Sequence, residues 1–199
     1  GELLRGSIDY ADFCDGYARV IDYKTGQIHK DVSEVFIGHK FQPYIYLAAL
    51  KESLGLKPSA ALYFPIHADF SEDGDAPYKM QGYVLKNENV VKRMDKSLET
   101  EEKSNVIKVK FKKDGDFSSR ESSVLSSSEF DDVILYSEKL AEKATNEIRR
   151  GLVAPNPYSG ACDYCEYKGI CGYDPSFDGE RKVKGKVSVE TITEAVKDE

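Results

Sequence analysis

The sequence predicts an α/β domain in which helices flank a central β-sheet. Strand-like and helix-like patterns alternate along the chain, and 199 residues can bury one good hydrophobic core. Three features indicate this class: two β-prone arms joined at Asp15-Gly16, an apolar run over 60–66, and long amphipathic segments over 38–53 and 129–150.

The ends of the chain predict a fragment with a single domain. The sequence begins without Met and soon enters a strand, so we expect it to be part of a larger protein, with the N-terminal part missing. We expect the domain to cover 1–175. Residues 176–199 are charged and weakly hydrophobic, which predicts a mobile tail.

The first predicted element is a β-hairpin around Asp15-Gly16. An Asp-Gly pair between β-prone arms favours a type I′ turn, because that turn needs a positive φ at both central residues. A two-residue loop also determines the pairing of the two strands. The predicted opposite pairs are Cys14 with Tyr17, Asp12 with Arg19, Tyr10 with Ile21, and Asp9 with Asp22.

The far end of this hairpin predicts a metal site. Alternation along the strand puts Asp22 and Lys24 on one face, with Asp9 opposite at a Cβ separation of roughly 4.5–5.5 Å. Two facing carboxylates repel each other, so either one acid has a raised pKa or a cation such as Mg²⁺ binds both. Lys24 can then orient a metal-bound water and stabilise phosphate charge. The alternative is a solvated salt-bridge cluster on an exposed strand.

The same residues carry a family resemblance. G-S-I-D-Y-A-D and R-V-I-D-Y-K-T-G resemble the core of the PD-(D/E)xK nuclease superfamily in its RecB-type branch. The resemblance implies a restriction-endonuclease-like mixed central β-sheet flanked by helices, and Mg²⁺- or Mn²⁺-dependent hydrolysis of DNA. By position, it implies metal ligands at Asp9, Asp22 and the backbone carbonyl of Tyr23, with Lys24 serving the attacking water.

The next helix is predicted over 38–53, with Pro43 in its first turn and Gly55 as its stop. Gln42 and Tyr46 are four residues apart, so they share one helical face. That spacing is typical of ordinary amphipathic packing. RecB-type nucleases, however, have a Q-x-x-x-Y motif on this helix that contacts DNA or supports the catalytic residues, and the resemblance implies that role for Gln42 and Tyr46.

Apolar patterning and turn residues predict the remaining elements. A long helix is expected over 129–150, because its apolar residues recur at helical spacing and Gly151 follows. The other expected elements are a loop over 27–33, a buried strand over 60–66, an acidic turn over 69–76, a strand over 78–85, a short helix over 90–98, a lysine-rich edge strand over 106–111 and a serine-rich loop over 118–128.

Three cysteines are clustered at Cys162, Cys165 and Cys171. In an intracellular chain such spacing favours a metal centre over disulfides, although free thiols are the alternative. Zinc and iron–sulfur clusters take four protein ligands. The candidates for the fourth are Cys14, His29, His39, His67, or a cysteine outside this chain.

A second resemblance concerns this cysteine segment. AddB-type subunits of bacterial helicase-nuclease complexes carry C-x2-C-x5-C after a G-x-x-A-P-x-P-like segment, and this chain has G-L-V-A-P-N-P-Y before its cysteines. The resemblance runs from Gly6 to about Asp174. It implies an iron–sulfur cluster whose fourth cysteine precedes the nuclease core, so we expect the cluster to be incomplete or absent in this chain. Cas4-type nucleases are a more distant alternative.

Composition limits the possible functions. The net charge of −7 argues against a protein that coats nucleic acid by bulk charge, but a local basic groove remains compatible with it. No run reaches the roughly 18 apolar residues of a membrane span, and we expect a cytoplasmic protein.

By resemblance, the parent is an exonuclease that partners an AddA-type helicase-nuclease subunit and processes DNA double-strand ends for recombinational repair. No Walker A loop is present, so ATP use belongs elsewhere. The fragment alone is expected to have doubtful activity. A non-catalytic DNA-end-binding or scaffold module is the alternative function.

Overall fold

A computed structural model describes residues 4–26, 32–66, 78–152, 154–158, 160–179 and 186–198. Its centre is a five-stranded sheet in the order β1-β2-β3-β4-β5, in which β2 pairs in parallel with β3 and β4 with β5 while the other pairs are antiparallel. The predicted mixed sheet is therefore confirmed. The strands are β1 Tyr10–Cys14, β2 Tyr17–Lys24, β3 Lys57–Pro65, β4 Gln81–Leu85 and β5 Val124–Leu125.

Helices cover both faces of this sheet, as predicted for the α/β class. One face packs against α2 and α4 through Val20, Leu47 and Phe130, and the other packs against α3 and the segment around Ile107. None of the helices described is long and apolar enough to cross a membrane. The helices are α1 Val32–Phe36, α2 Gln42–Leu54, α3 Glu88–Met94, a 3₁₀ turn Lys96–Glu99, α4 Ser127–Arg149, α5 Pro175–Asp178 and α6 Val189–Lys197.

The β1–β2 hairpin has the predicted register. Asp15 (φ 48°) and Gly16 (φ 76°) both adopt the left-handed conformation that a type I′ turn requires. Asp12 then faces Arg19, and the Arg19 guanidinium donates two hydrogen bonds to the Asp12 carboxylate, one of them from Nε to Oδ1 at 2.9 Å. Regular pairing ends at Tyr10, so Asp9 lies just before β1.

Two predictions near the start of α2 differ from the structure. The helix expected from residue 38 begins at Gln42, because Gly38 (φ 78°) and Lys40 (φ 52°) are left-handed and cannot continue an α-helix. The expected loop over 27–33 gives way at Val32 to α1, whose Val32 and Val35 are buried in the core. Residues 27–31 and 67–77, which include most of this loop, the acidic turn, His29 and His67, lie outside the described residues.

The lysine-rich edge strand expected over 106–111 is wrong. This segment makes only isolated bridges, from Ile107 to Met80 and from Phe111 to Phe117. Its alternating apolar residues Ile107, Val109 and Phe111 are all buried in the second core. The period-2 pattern is present, but the segment uses it to cover one face of the sheet rather than to extend its edge.

The mobile tail expected over 176–199 is wrong for α6. This helix packs on α4 with Ile192 fully buried, and Thr193 Oγ1 donates a hydrogen bond to Asp132 Oδ2 at 2.8 Å. Val189 and Ile192 both belong to the apolar face that meets the core. High average charge hid these few apolar residues, whose helical spacing is enough to dock a short helix.

Candidate active site at the end of strand β2

Asp22 and Lys24 lie at the C-terminal end of β2. Alternation puts both on the face that carries Val20 and meets α2, where Asp22 is only 4% exposed. Lys24 Nζ lies 2.5 Å from Asp22 Oδ2, an ion-pair distance. The site therefore joins a buried carboxylate to a half-buried ammonium group, which differs from the solvated surface cluster that we considered as the alternative.

Asp22 Oδ2 remains short of partners. It is buried, and within the described part of the chain no hydrogen bond of acceptable geometry reaches it, although the Lys24 ammonium is close. A buried carboxylate oxygen without a hydrogen bond is costly, and such a site favours a cation. Carboxylate oxygens are the ligands that Mg²⁺ and Mn²⁺ prefer, so this chemistry fits a divalent metal.

Asp9 is held against the same end of β2. Its Oδ2 accepts a hydrogen bond from the backbone N–H of Tyr23 at 3.0 Å, although Asp9 itself is exposed. Tyr23 is the residue between Asp22 and Lys24, so all three predicted side chains converge on one short stretch of strand. Among the described residues, no group of three or more His, Cys, Asp or Glu side chains is placed to hold a metal ion.

Gln42 and Tyr46 reach the strand that leads to Asp9. Gln42 Nε2 donates to the Tyr46 hydroxyl at 2.6 Å, and that hydroxyl donates to the carbonyl oxygen of Ser7 at 2.6 Å. Gly6 lies directly under the ring, since a Cβ there would be 3.0 Å from Tyr46 Cε1. The pair therefore does more than pack on its helix: it fixes the backbone two residues before Asp9.

A profile of the PD-(D/E)XK nuclease superfamily matches residues 2–172, a span that contains every one of these residues. The chain belongs to this superfamily. PD-(D/E)XK nucleases generally use divalent metal ions. The family assignment thus agrees with the mixed sheet and with a pair of acids followed by a lysine at the end of its second strand.

Curated relatives of this chain are the B-type subunits of an ATP-dependent helicase/deoxyribonuclease. The protein of Oceanobacillus iheyensis is 35% identical over 87% of this chain and 17% of its own length. Those of Bacillus pumilus and Bacillus cereus are 33% and 31% identical over 98% and 96% of this chain, and each is covered over 19% of its length. The resemblance to AddB-type subunits is confirmed, and the chain spans less than a fifth of these relatives.

Tyr63 is a residue of the site that the sequence did not reveal. It lies opposite Asp22 in the parallel register of β3, is buried, and donates a hydrogen bond from its hydroxyl to the Lys40 carbonyl at 2.7 Å. Burial, helped by the negative charge of Asp22, raises the pKa of Tyr63 well above its ordinary value, so the phenol stays neutral. The Lys24 Nζ lies 5.8 Å from its ring centroid.

A second unforeseen group is the contact of Glu34, His39 and Tyr158. Glu34 Oε2 lies 2.6 Å from His39 Nδ1, and the other His39 nitrogen lies 3.5 Å from the Tyr158 hydroxyl. The His39 and Tyr158 rings are also in contact, with centroids 5.0 Å apart. This contact ties the segment before the cysteines to the α1–α2 turn, whose Lys40 is held by Tyr63.

The cysteines do not form a closed metal centre in the described part of the chain. Cys162 is half-buried, Cys165 and Cys171 are exposed, and all are free thiols. Cys14 lies at the hairpin turn, where its sulfur accepts a hydrogen bond from Arg93 at 3.4 Å. The donors present therefore do not fit a four-ligand cluster.

Proposed function

We propose that this nuclease domain hydrolyses DNA phosphodiesters with Mg²⁺ or Mn²⁺ held by Asp9, Asp22 and the backbone carbonyl of Tyr23. The observation that carries the proposal is the buried Asp22 Oδ2, which lacks a hydrogen bond and lies next to Lys24. When bound, the metal supplies Lewis acidity and lowers the pKa of a water molecule. The surrounding residues must then hold that water and the phosphate in line.

Lys24 is the group proposed to position the water. Its ammonium can donate hydrogen bonds to the attacking water and stabilise the charge that develops on the phosphate oxygens. The neutral Tyr63 ring lies beside Lys24 and adds no charge of its own.

Gln42 and Tyr46 are proposed as positioning residues. Their hydrogen-bonded chain ends on the Ser7 carbonyl, two residues before Asp9. Because Asp9 is exposed and precedes regular strand pairing, its carboxylate depends on this support and on the Tyr23 N–H for its place. Small displacements of a catalytic group cost rate steeply, so a fixed backbone here matters for turnover.

We further infer that the domain acts within a helicase-nuclease complex. The relatives' names combine a helicase with a deoxyribonuclease and describe each protein as one subunit of the pair, which supports a partner of the AddA type. The role would be exonucleolytic processing of DNA double-strand ends for recombinational repair. An iron–sulfur cluster at Cys162, Cys165 and Cys171 stays a prediction for the natural polypeptide, since these supply only three ligands.

The test is cleavage of linear duplex DNA by the natural polypeptide and its partner subunit in Mg²⁺, with unwinding measured separately. We expect Asp22→Asn to abolish cleavage at this site and to leave unwinding intact. Asp12→Asn is the matched control, since Asp12 is a carboxylate of the same hairpin that is paired with Arg19. Full cleavage by Asp22→Asn would instead favour the DNA-binding scaffold.

A further inference from the structure

Three aromatic side chains form a row at the same end of the sheet as Asp22. Tyr23 on β2, Phe64 on β3 and Tyr78 before β4 follow one another across the strands, and we call them the aromatic row. Tyr23 alternates with Asp22 along β2, so the row lies on the opposite face of the sheet from the carboxylate. Tyr23 is 42% exposed and Tyr78 is 57% exposed, while Phe64 between them is half-buried.

The rings touch one another in sequence. The Tyr23 and Phe64 centroids are 5.7 Å apart with nearly perpendicular planes, and the Phe64 and Tyr78 rings are 6.1 Å apart and nearly parallel. Phe64 therefore acts as a base against which the two tyrosines stand, with much of their surface in solvent. A connected group of exposed rings is unusual on a protein surface and marks a binding site more often than scattered apolar residues do.

The row is continuous with the proposed catalytic site. Tyr23 is the residue between Asp22 and Lys24, and its backbone N–H holds the Asp9 carboxylate. A DNA strand whose phosphate lies at Asp22 and Lys24 thus has this row within one residue of the strand, at the edge where β2 and β3 end. The row is placed to meet nucleotides next to the one that is cut.

The kind of surface matches unpaired bases. Aromatic side chains bind single strands by stacking, which contributes about 1–3 kcal/mol per base and does not depend on sequence. The chain carries a net charge of −7, so bulk attraction of phosphates does not hold a strand here. Stacking supplies affinity without that charge.

We propose that the aromatic row binds the unpaired bases of a DNA single strand beside the cleavage site. The proposal rests on the proposed nuclease function and specifies its substrate: the strand presented to Asp22 is locally single-stranded, as after unwinding.

The test is binding of a fluorescent oligothymidylate, followed by anisotropy without divalent ions. The natural polypeptide is used in an Asp22→Asn background, which keeps the oligonucleotide intact. Tyr78→Leu retains apolar bulk but removes the ring, and we expect it to weaken binding about tenfold, as the loss of one stacked base predicts. Tyr78→Phe keeps the ring and should bind within about twofold of the parent.

Phe13→Leu is the matched control. Phe13 is an exposed aromatic residue (54%) of the same hairpin, but it lies near the turn, at the other end of the strand. It should leave oligothymidylate binding unchanged. Tyr78→Leu binding as tightly as the parent would overturn the proposal. The same would follow if Tyr78→Leu kept its DNA affinity but lost contact with another part of the polypeptide or with the partner subunit, because the row would then be a protein interface.

The two proposals can fail separately. Cleavage that survives Asp22→Asn refutes the catalytic site, whatever the row binds. Lost cleavage in Asp22→Asn together with unchanged oligothymidylate affinity in Tyr78→Leu refutes the row alone. Circular dichroism of each variant confirms that the fold is retained, which is expected because Tyr78 is exposed.

Discussion

At the scale of single residues, the sequence located the acids but not their environment. The Asp15-Gly16 turn determined which residues of the hairpin face each other, so Asp9 and Asp22 could be paired from local rules alone. The burial of Asp22 and the presence of Tyr63 beside it depend on β3, which is some 40 positions along the chain and pairs in parallel. No local pattern specifies such a register, so Tyr63 was missed.

The hydrogen bond from Tyr46 to Ser7 gives a test at this scale. Tyr46→Phe keeps the ring beside Gly6 but removes the hydroxyl that holds the Ser7 carbonyl. We expect the free energy of unfolding to fall by only about 1 kcal/mol, the usual value of one hydrogen bond. The rate of DNA cleavage should fall by about tenfold or more, because Asp9 loses its support.

Tyr136→Phe is the matched control for that measurement. Its hydroxyl also donates to a backbone carbonyl, that of Phe36, at 3.0 Å. It should cost similar stability while leaving cleavage near the parent rate. Equal cleavage by the Tyr46 and Tyr136 variants would show that the Gln42–Tyr46 pair has a structural role only.

At the scale of elements, long periodic helices and the hairpin were predictable, whereas short elements that depend on distant contacts were not. The long helix α4 begins at Ser127, two residues before the predicted start, because Ser126 and Glu129 form a capping box. The α6 helix and the buried segment around Ile107 were assigned wrongly. Both are stabilised by what they pack against, and neither partner is near in sequence.

The docking of α6 predicts a measurable contribution to stability. Ile192→Ala removes a fully buried side chain, and such truncations cost about 2–5 kcal/mol. Urea unfolding of this chain measures the change. Ile148→Ala is the control, since Ile148 on α4 is 70% exposed and should change stability by less than about 0.5 kcal/mol. A value that small for Ile192→Ala would restore the mobile tail.

At the scale of the whole molecule, the strand order was beyond sequence reasoning, although the class was not. Alternating patterns predicted helices on a sheet, and the resemblance supplied the mixed pairing that the structure confirms. The arrangement explains why function gathers at one edge: β2 and β3 run in parallel, so the ends that carry Asp22, Tyr23, Tyr63 and Phe64 lie side by side. One face of that edge carries the proposed cleavage site and the other the aromatic row.

The central claim is that Asp9 and Asp22 share a divalent metal. Calorimetric titration with Mn²⁺ tests it without DNA or a partner subunit. The account predicts that Asp22→Asn weakens Mn²⁺ binding about tenfold or more, since even groups that only support metal ligands are worth about 10–100-fold in affinity. Asp9→Asn should also weaken it, and Asp12→Asn should leave it unchanged. Mn²⁺ binding by Asp22→Asn as tight as that of the parent would contradict the account.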